Sequence, residues 1–116
     1  MQIYEDELRI IEKIKNSIVQ KVDSSSGITV IGEDNRMRII GFGSSWRILI
    51  NHKLEVTSFN KYNLVYTEKL LIGKKITSVK YSKTTNDLSI KLNGKIKIDY
   101  FYIEEDIRPW GVRELS

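Results

Sequence analysis

The segment from Leu88 to Ile98 constrains the fold more than any other part of the chain. Apolar and polar residues alternate strictly through Leu88–Leu92, and the alternation resumes with Ile96 and Ile98. A period of two places successive side chains on opposite faces of a strand. Between the two runs lies Asn93-Gly94, a pair that favours a tight turn with positive φ at both positions. The segment therefore predicts an antiparallel hairpin with one buried face.

The flanking residues extend this hairpin into a three-stranded meander. Ile76 to Ser82 predicts the preceding strand, and Lys95, Lys97 and Asp99 are expected to point outward. Pro109 ends regular pairing, because proline cannot donate to a ladder. We expect Trp110 and Val112 to close over one end of the core.

The amino-terminal part predicts a helix from about Ile3 to Lys15. Its apolar residues recur every three positions from Leu8 to Ile14, with charged residues on the other side. Acids in the first turn and lysines in the last suit the helix dipole. Residues 17–23 could extend this helix or form a short strand, since β-branched residues and a following serine run allow either.

The middle of the chain predicts further strands, at Ile28 to Ile31, Arg36 to Phe42, Ser45 to Asn51 and Leu54 to Ser58. Trp46 shares one face of its strand with Ile48 and Ile50, so we expect it in the core. Phe59 to Lys69 has no clear period and is predicted to be a long exposed connection.

Two parts of the chain are similar in sequence. Gly27-Ile28-Thr29-Val30 resembles Asp87-Leu88-Ser89-Ile90, and each segment is followed by a tryptophan, at an offset of about 60 residues. Either a duplication or the simplicity of β-strand patterns explains the similarity.

Length and composition favour one compact domain. The chain has 116 residues, of which 41% are hydrophobic, and it has no cysteine. The lack of cysteine excludes disulfides and thiolate chemistry, and no apolar run is long enough to span a bilayer, so we expect a cytoplasmic protein with no export signal. The prediction is a single α+β domain, residues 1–116. Its N-terminal helix (1–16) packs on a β-rich body (17–116), a twisted antiparallel sheet or half-open barrel of six to eight strands.

The charge is moderately basic. Nineteen Lys and Arg oppose fifteen Asp and Glu, which gives a net charge of +4. Several lysines stand as single outward residues on predicted strands, at Lys80, Lys83, Lys91, Lys95 and Lys97. Solvated sheet faces and protected sheet edges explain this pattern best, with a phosphate-binding surface or an acidic protein partner as alternatives.

Catalytic and metal-binding groups are scarce. His52 is the only histidine and is expected in a hairpin connection, with no cysteine to complete a zinc site. We therefore predict no metal, no cofactor and no enzyme activity. A small enzyme would have to combine Ser44 or Ser45 as nucleophile with His52 as base and an acid such as Asp87.

Tyrosines and arginines are the best candidates for contacts with a partner. These residue types anchor protein interfaces, because they bury much area at modest entropic cost, and they also stack on single-stranded bases. The candidate partner-binding residues are Arg36, Arg38, Arg47, Tyr62, Tyr66, Tyr100, Tyr102 and Arg108.

One set of motifs carries a family resemblance. It comprises Ser44-Ser45-Trp46-Arg47, Leu71-Ile72-Gly73-Lys74-Lys75-Ile76, Asp87-Leu88-Ser89-Ile90, Asn93-Gly94 and Trp110. The chain resembles, over about residues 40 to 112, a family of small uncharacterised bacterial β-rich domains, some of which occur beside polymorphic toxin genes in the manner of immunity proteins. The resemblance implies a non-enzymatic immunity protein that neutralises a cognate toxin, and the basic charge suggests an acidic patch on that toxin. The alternative is a nucleic-acid-binding module that uses a basic sheet face and tyrosines. No membrane partner is expected.

Overall fold

The computed structural model describes residues 5–23, 27–41, 46–57, 64–82, 84–85, 87–101 and 111–114. The elements of the first half are α1 (Glu5–Lys13), β1 (Ile18–Asp23), β2 (Gly27–Ile31), β3 (Met37–Gly41), β4 (Trp46–Ile50) and β5 (Lys53–Thr57). Those of the second half are α2 (Leu64–Leu71), β6 (Ile76–Tyr81), β7 (Leu88–Leu92), β8 (Ile96–Tyr100) and β9 (Gly111–Glu114). The predicted α+β class is confirmed, and residues 18–23 form a strand.

The strands of the described residues form two antiparallel sheets, and neither sheet closes on itself. The four-stranded sheet has the order β1-β2-β3-β9, and the five-stranded sheet has the order β5-β4-β8-β7-β6. α1 packs against β9, and α2 packs against β1. The β-rich body is therefore divided into two sheets, with an N-terminal helix beside the smaller one.

The two sheets share a four-stranded arrangement, to which the larger sheet adds β5. In each half a helix precedes a three-stranded meander, which is β1-β2-β3 in the first half and β6-β7-β8 in the second. The strand after each meander pairs in the other sheet, so β4 joins β8 and β9 joins β3. The two similar sequence segments coincide with this repeat, since the first lies in β2 and the second, apart from Asp87, lies in β7.

The sheets are joined where β1 and β6 begin. The Ile76 amide donates to the Ser17 carbonyl at 2.8 Å, and the Val19 amide donates to the Lys74 carbonyl at 2.9 Å. The Gly73 amide also donates to the Val19 carbonyl at 2.8 Å. These bonds satisfy backbone groups that would otherwise lie exposed on two strand edges.

One hydrophobic cluster receives side chains from both helices and both sheets. Ile14 of the segment after α1, Leu71 of α2, Ile28 of β2 and Ile98 of β8 are all fully buried in it. Trp46 is buried there too, as predicted. Val112 is also buried, whereas Trp110 lies outside the described residues.

The prediction of an exposed connection up to Lys69 is wrong, because α2 begins at Leu64. Thr67 and Leu71 are fully buried and stand four residues apart, so they lie on one side of the helix. Leu70 is half-buried beside the same cluster. A threonine on the buried side conceals the apolar period that would have identified the helix.

The predicted turn at Asn93-Gly94 is confirmed. Asn93 has φ of 50° and Gly94 has φ of 75°, and the Lys95 amide donates to the Leu92 carbonyl at 3.3 Å. Regular pairing starts with Leu92 opposite Ile96, so Lys95 belongs to the connection. This register decides which side chains of β7 and β8 face each other.

Candidate functional site: the basic face of the five-stranded sheet

Strand register gathers cations on the outer face of the five-stranded sheet. One row across the strands contains Arg47, Asp99, Ser89 and Lys80, and the next contains Leu54, Leu49, Lys97, Lys91 and Ser78. These residues alternate with core residues such as Ile48, Ile90 and Ile98, so they point away from the core. We call this surface the basic face and define it by the residues of these two rows.

Asp99 is the acidic centre of the basic face. Its carboxylate accepts a hydrogen bond from Arg47 Nε at 2.9 Å and one from the Ser89 hydroxyl. Arg47 binds Oδ2, whereas Ser89 binds Oδ1, and Lys97 Nζ lies 3.4 Å from that same Oδ1. Asp99 was expected to point outward into solvent, yet its side chain is only 5% exposed, because these neighbours cover it.

The surroundings of Asp99 keep it ionised. Burial disfavours the charged form, but the hydrogen bonds from Ser89 and Arg47 and the charge of Lys97 outweigh that cost. Together they hold the pKa of Asp99 below its ordinary value. Asp99 therefore fixes the positions of Arg47 and Lys97 without neutralising the face as a whole.

The basic face keeps a clear excess of positive charge. Its four cations, Arg47, Lys80, Lys91 and Lys97, outnumber its single carboxylate. Arg47 also lies over the Phe101 ring, with its guanidinium carbon 5.1 Å from the ring centroid. A cation held by both an aromatic ring and a carboxylate is well ordered for contact with a ligand.

An apolar strip borders the cations at the β5 edge. Leu49 and Leu54 are cross-strand partners on the basic face, and Leu54 is 56% exposed. A register shift between Ile48 and Leu49 places Glu55 outside the regular pairing of β5. The basic face thus combines exposed leucine surface with lysine charge.

A pocket lies at the end of the basic face, between the β4–β5 turn and the β7–β8 hairpin. It encloses about 180 Å³ and is lined by Leu49, Asn51, His52, Lys91, Gly94, Lys95, Ile96 and Lys97. We call it the hairpin pocket. Among the residues that the structure describes, three lysines and no carboxylate line it.

Two of the predicted partner-binding arginines lie at the other sheet, Arg38 in β3 and Arg36 just before it. Arg38 is 1% exposed, and its Nη2 lies 2.7 Å from Asp34 Oδ2 and 3.3 Å from Glu114 Oε1. The Arg38 hydrogen bond lowers the pKa of Asp34 to about 2, and the same bond raises the pKa of Arg38. Arg36 is exposed and pairs with Glu114 at 3.5 Å. Arg38 is thus a structural residue that links β3 to β9, because its charge is fully used inside the fold.

Neither of the two predicted tyrosines that the structure describes, Tyr66 and Tyr100, lies on the basic face. Tyr100 is fully buried in the core, so its ring is closed to a partner. The Tyr66 hydroxyl, on α2, donates to Glu55 Oε2 at 2.8 Å, which raises the pKa of Tyr66. Tyr62, Tyr102 and Arg108 lie outside the described residues. Of the eight predicted partner-binding residues, the described structure brings only Arg47 to the basic face.

The candidate catalytic groups are not assembled within the described part of the chain. His52 is exposed in the β4–β5 turn, as expected of a connection residue, with φ of 68°. Ser44 and Ser45 lie outside the described residues. Among the residues that the structure describes, no group of three or more histidine, cysteine, aspartate or glutamate side chains could hold a metal ion.

Neither of the described helices has the length and apolar character needed to cross a membrane.

The sequence predicted these lysines as outward residues and offered a basic sheet face as an alternative, but it did not specify which cations share that face. The signal was present in the hairpin, because the turn at Asn93-Gly94 sets the register that places Lys91 opposite Lys97. The positions of Arg47 and Lys80 depend on the pairing of β4 with β8 and of β6 with β7, which local patterns do not specify. Which residues make up the basic face was therefore predictable only over one hairpin.

Comparison with known proteins yields no match: no family model, no curated protein and no solved structure is significantly similar to this chain.

Proposed function

We propose that this chain is a non-enzymatic binding protein whose basic face docks an acidic surface of a protein partner. The observation that carries the proposal is the convergence of Arg47, Lys97, Lys91 and Lys80 on one sheet face beside exposed Leu54. Charge complementarity would speed association and select the partner, while the apolar strip of Leu49 and Leu54 would supply apolar contact. Following the family resemblance, the partner we propose is a cognate bacterial toxin that is neutralised in the cytoplasm.

The composition of the basic face favours a protein partner over nucleic acid. Sequence-tolerant binding of single strands uses aromatic platforms on a cationic groove. Of the tyrosines proposed for that role, Tyr100 is buried and Tyr66 lies on α2, bound to Glu55. Leu49 and Leu54 on the same face suit an apolar protein surface better than a phosphate backbone.

The test compares charge reversals on and off the basic face. Lys80→Glu and Lys91→Glu change exposed residues of the face, and Lys69→Glu, at an exposed position of α2, is the matched control. Each tagged variant is used to capture the product of the adjacent upstream gene, after nuclease treatment, and is co-expressed with that product to measure protection of cells. We expect each face variant to weaken binding at least about fivefold, mainly through slower association, and the control to bind normally.

Two results would count against the proposal. One is equal capture by the face variants and the Lys69→Glu control. The other is saturable binding of mixed single-stranded oligonucleotides, measured by fluorescence anisotropy at low salt and lost in the face variants. That second result would favour the nucleic-acid alternative.

A further inference from the structure

The hairpin pocket has a rigid rim made by two turns. Asn51 and His52 have φ of 51° and 68°, the positive values of a tight two-residue hairpin. The Asn51 amide donates to the Lys95 carbonyl at 3.0 Å and so ties the β4–β5 turn to the β7–β8 connection. Leu49 and Ile96 form the apolar part of the lining.

Positive charge converges on this pocket at a cost to the fold. Lys91 and Lys97 stand directly opposite each other in the β7–β8 ladder, and like charges in that position are destabilising. Lys95 adds a third ammonium from the connection between the same two strands. Lys97 has Asp99 at 3.4 Å, but within the described residues neither Lys91 nor Lys95 pairs with a carboxylate. A bound anion would remove this repulsion.

We infer that the hairpin pocket binds a phosphate group. Lysine acts on phosphate as a point charge with freely rotating donors, and three lysines, together with Asn51 and His52, line a space large enough for one such group. Asp99 pairs with Lys97 but does not line the pocket, so among the described residues no carboxylate competes for the ammoniums of Lys91 and Lys95. The pocket shares Lys91, Lys97 and Leu49 with the basic face, but phosphate binding here does not depend on the proposed protein partner.

The inference is tested on the full chain alone, by following amide NMR signals during titration with inorganic phosphate. Sodium chloride holds the ionic strength constant, and O-phosphoserine with serine as its blank distinguishes a phosphomonoester from free phosphate as the source. Lys91→Gln and Lys95→Gln remove pocket charges from exposed positions. Lys80→Gln is the matched control, since Lys80 lies on the basic face but does not line the pocket.

We expect saturable shifts confined to the two turns and the facing strand ends. Each pocket variant should weaken binding about fivefold or more, because a charge-assisted hydrogen bond is lost, while Lys80→Gln should stay within about twofold. Shifts that do not saturate, that serine or chloride reproduces, or that Lys80→Gln reduces as much as Lys91→Gln would overturn the inference. Because the titration contains no protein partner, a negative result would not bear on the protein-docking proposal, which is tested separately by partner capture.

Discussion

At Gly27 the backbones of β2 and β3 approach so closely that no side chain fits. A Cβ atom there would lie 2.1 Å from the Ile40 carbonyl oxygen and 2.8 Å from the Gly41 Cα. Gly27 also has φ of 110°, a conformation that other residues rarely adopt. Its lack of a side chain is therefore required by both space and backbone geometry.

We expect Gly27→Ala to lower the free energy of unfolding by about 3 kcal/mol or more, through backbone collision and strain. Gly73→Ala is the control, since Gly73 has φ of 82° but nothing within 4 Å of the added carbon, and it should cost only about 1 kcal/mol. Urea unfolding followed by circular dichroism measures both. Equal losses would show that contact with Ile40 plays no part.

The carboxylate of Asp99 makes stability depend on acid pH. Its pKa is lowered in the folded state, so the folded protein binds this proton less readily than the unfolded chain. The stabilisation of the folded protein by ionised Asp99 is therefore complete above the pKa of the unfolded chain, about 3.9. It is lost as the pH falls through the lower pKa of the folded protein. Asp34, with its pKa of about 2, acts in the same direction.

We expect Asp99→Asn to lower the melting temperature at pH 7 and to flatten its decline below pH 4, because the titrating group is gone. Melting curves for the variant and the natural chain between pH 7 and pH 2 test this. Parallel curves over that range would contradict the role of Asp99. Glu68→Gln, at a half-exposed position of α2, is the control for a general charge effect.

At the scale of elements, α2 is held by packing rather than by its own sequence. It is short, and isolated helices of this length are marginal in water. Its buried side chains Thr67 and Leu71 lie against the core, and its carboxyl end leads directly into the bonds between Gly73, Lys74 and Val19. The helix thus forms together with the junction of the two sheets.

Neighbouring residues at the end of α2 allow a matched test of this packing. Leu71 is fully buried, so Leu71→Ala should cost about 2–5 kcal/mol through lost burial and a residual cavity. Ile72 is 42% exposed, and Ile72→Ala should cost less than about 1 kcal/mol. Chemical denaturation of the two variants gives the comparison. Similar small losses would mean that α2 does not pack as described.

At the scale of the whole molecule, neither half of the chain completes its own sheet. β4 from the first half pairs with β8, and β9 from the second half pairs with β3. Cutting the chain before α2 would expose β3 and β8 as long unpaired edges, and it would break the core that both halves share. We therefore expect each half of the chain to need the other in order to fold.

We expect fragments 1–60 and 61–116 to be largely unfolded alone and to recover the native circular dichroism spectrum and core amide signals when mixed. The physical reason is that each fragment supplies a strand that the other lacks. The Leu71→Ala substitution in the second fragment is the control and should weaken reconstitution. Independent, native-like folding of either fragment would contradict this interleaved arrangement.

Sequence by itself determined the features that depend on neighbours along the chain. The alternation in Leu88–Leu92, the turn at Asn93-Gly94 and the apolar period of Leu8 to Ile14 predicted a hairpin and a helix that the structure contains. Most strand limits followed from the same patterns, because a period of two and turn chemistry are local properties. The burial of Trp46 followed from its apolar neighbours.

Tertiary structure alone decided which strands meet and therefore which charges share a surface. The pairing of β4 with β8 brings Arg47 to Asp99, although the two are far apart in sequence, and pairing of β3 with β9 buries Arg38 beside Glu114. The sequence did not predict α2, because its buried side includes Thr67, a polar residue that tertiary packing buries and that interrupts the apolar period. Side-chain exposure depends on such long-range pairing, so the candidate arginines and tyrosines could be chosen by type from the sequence but not sorted into surface and core.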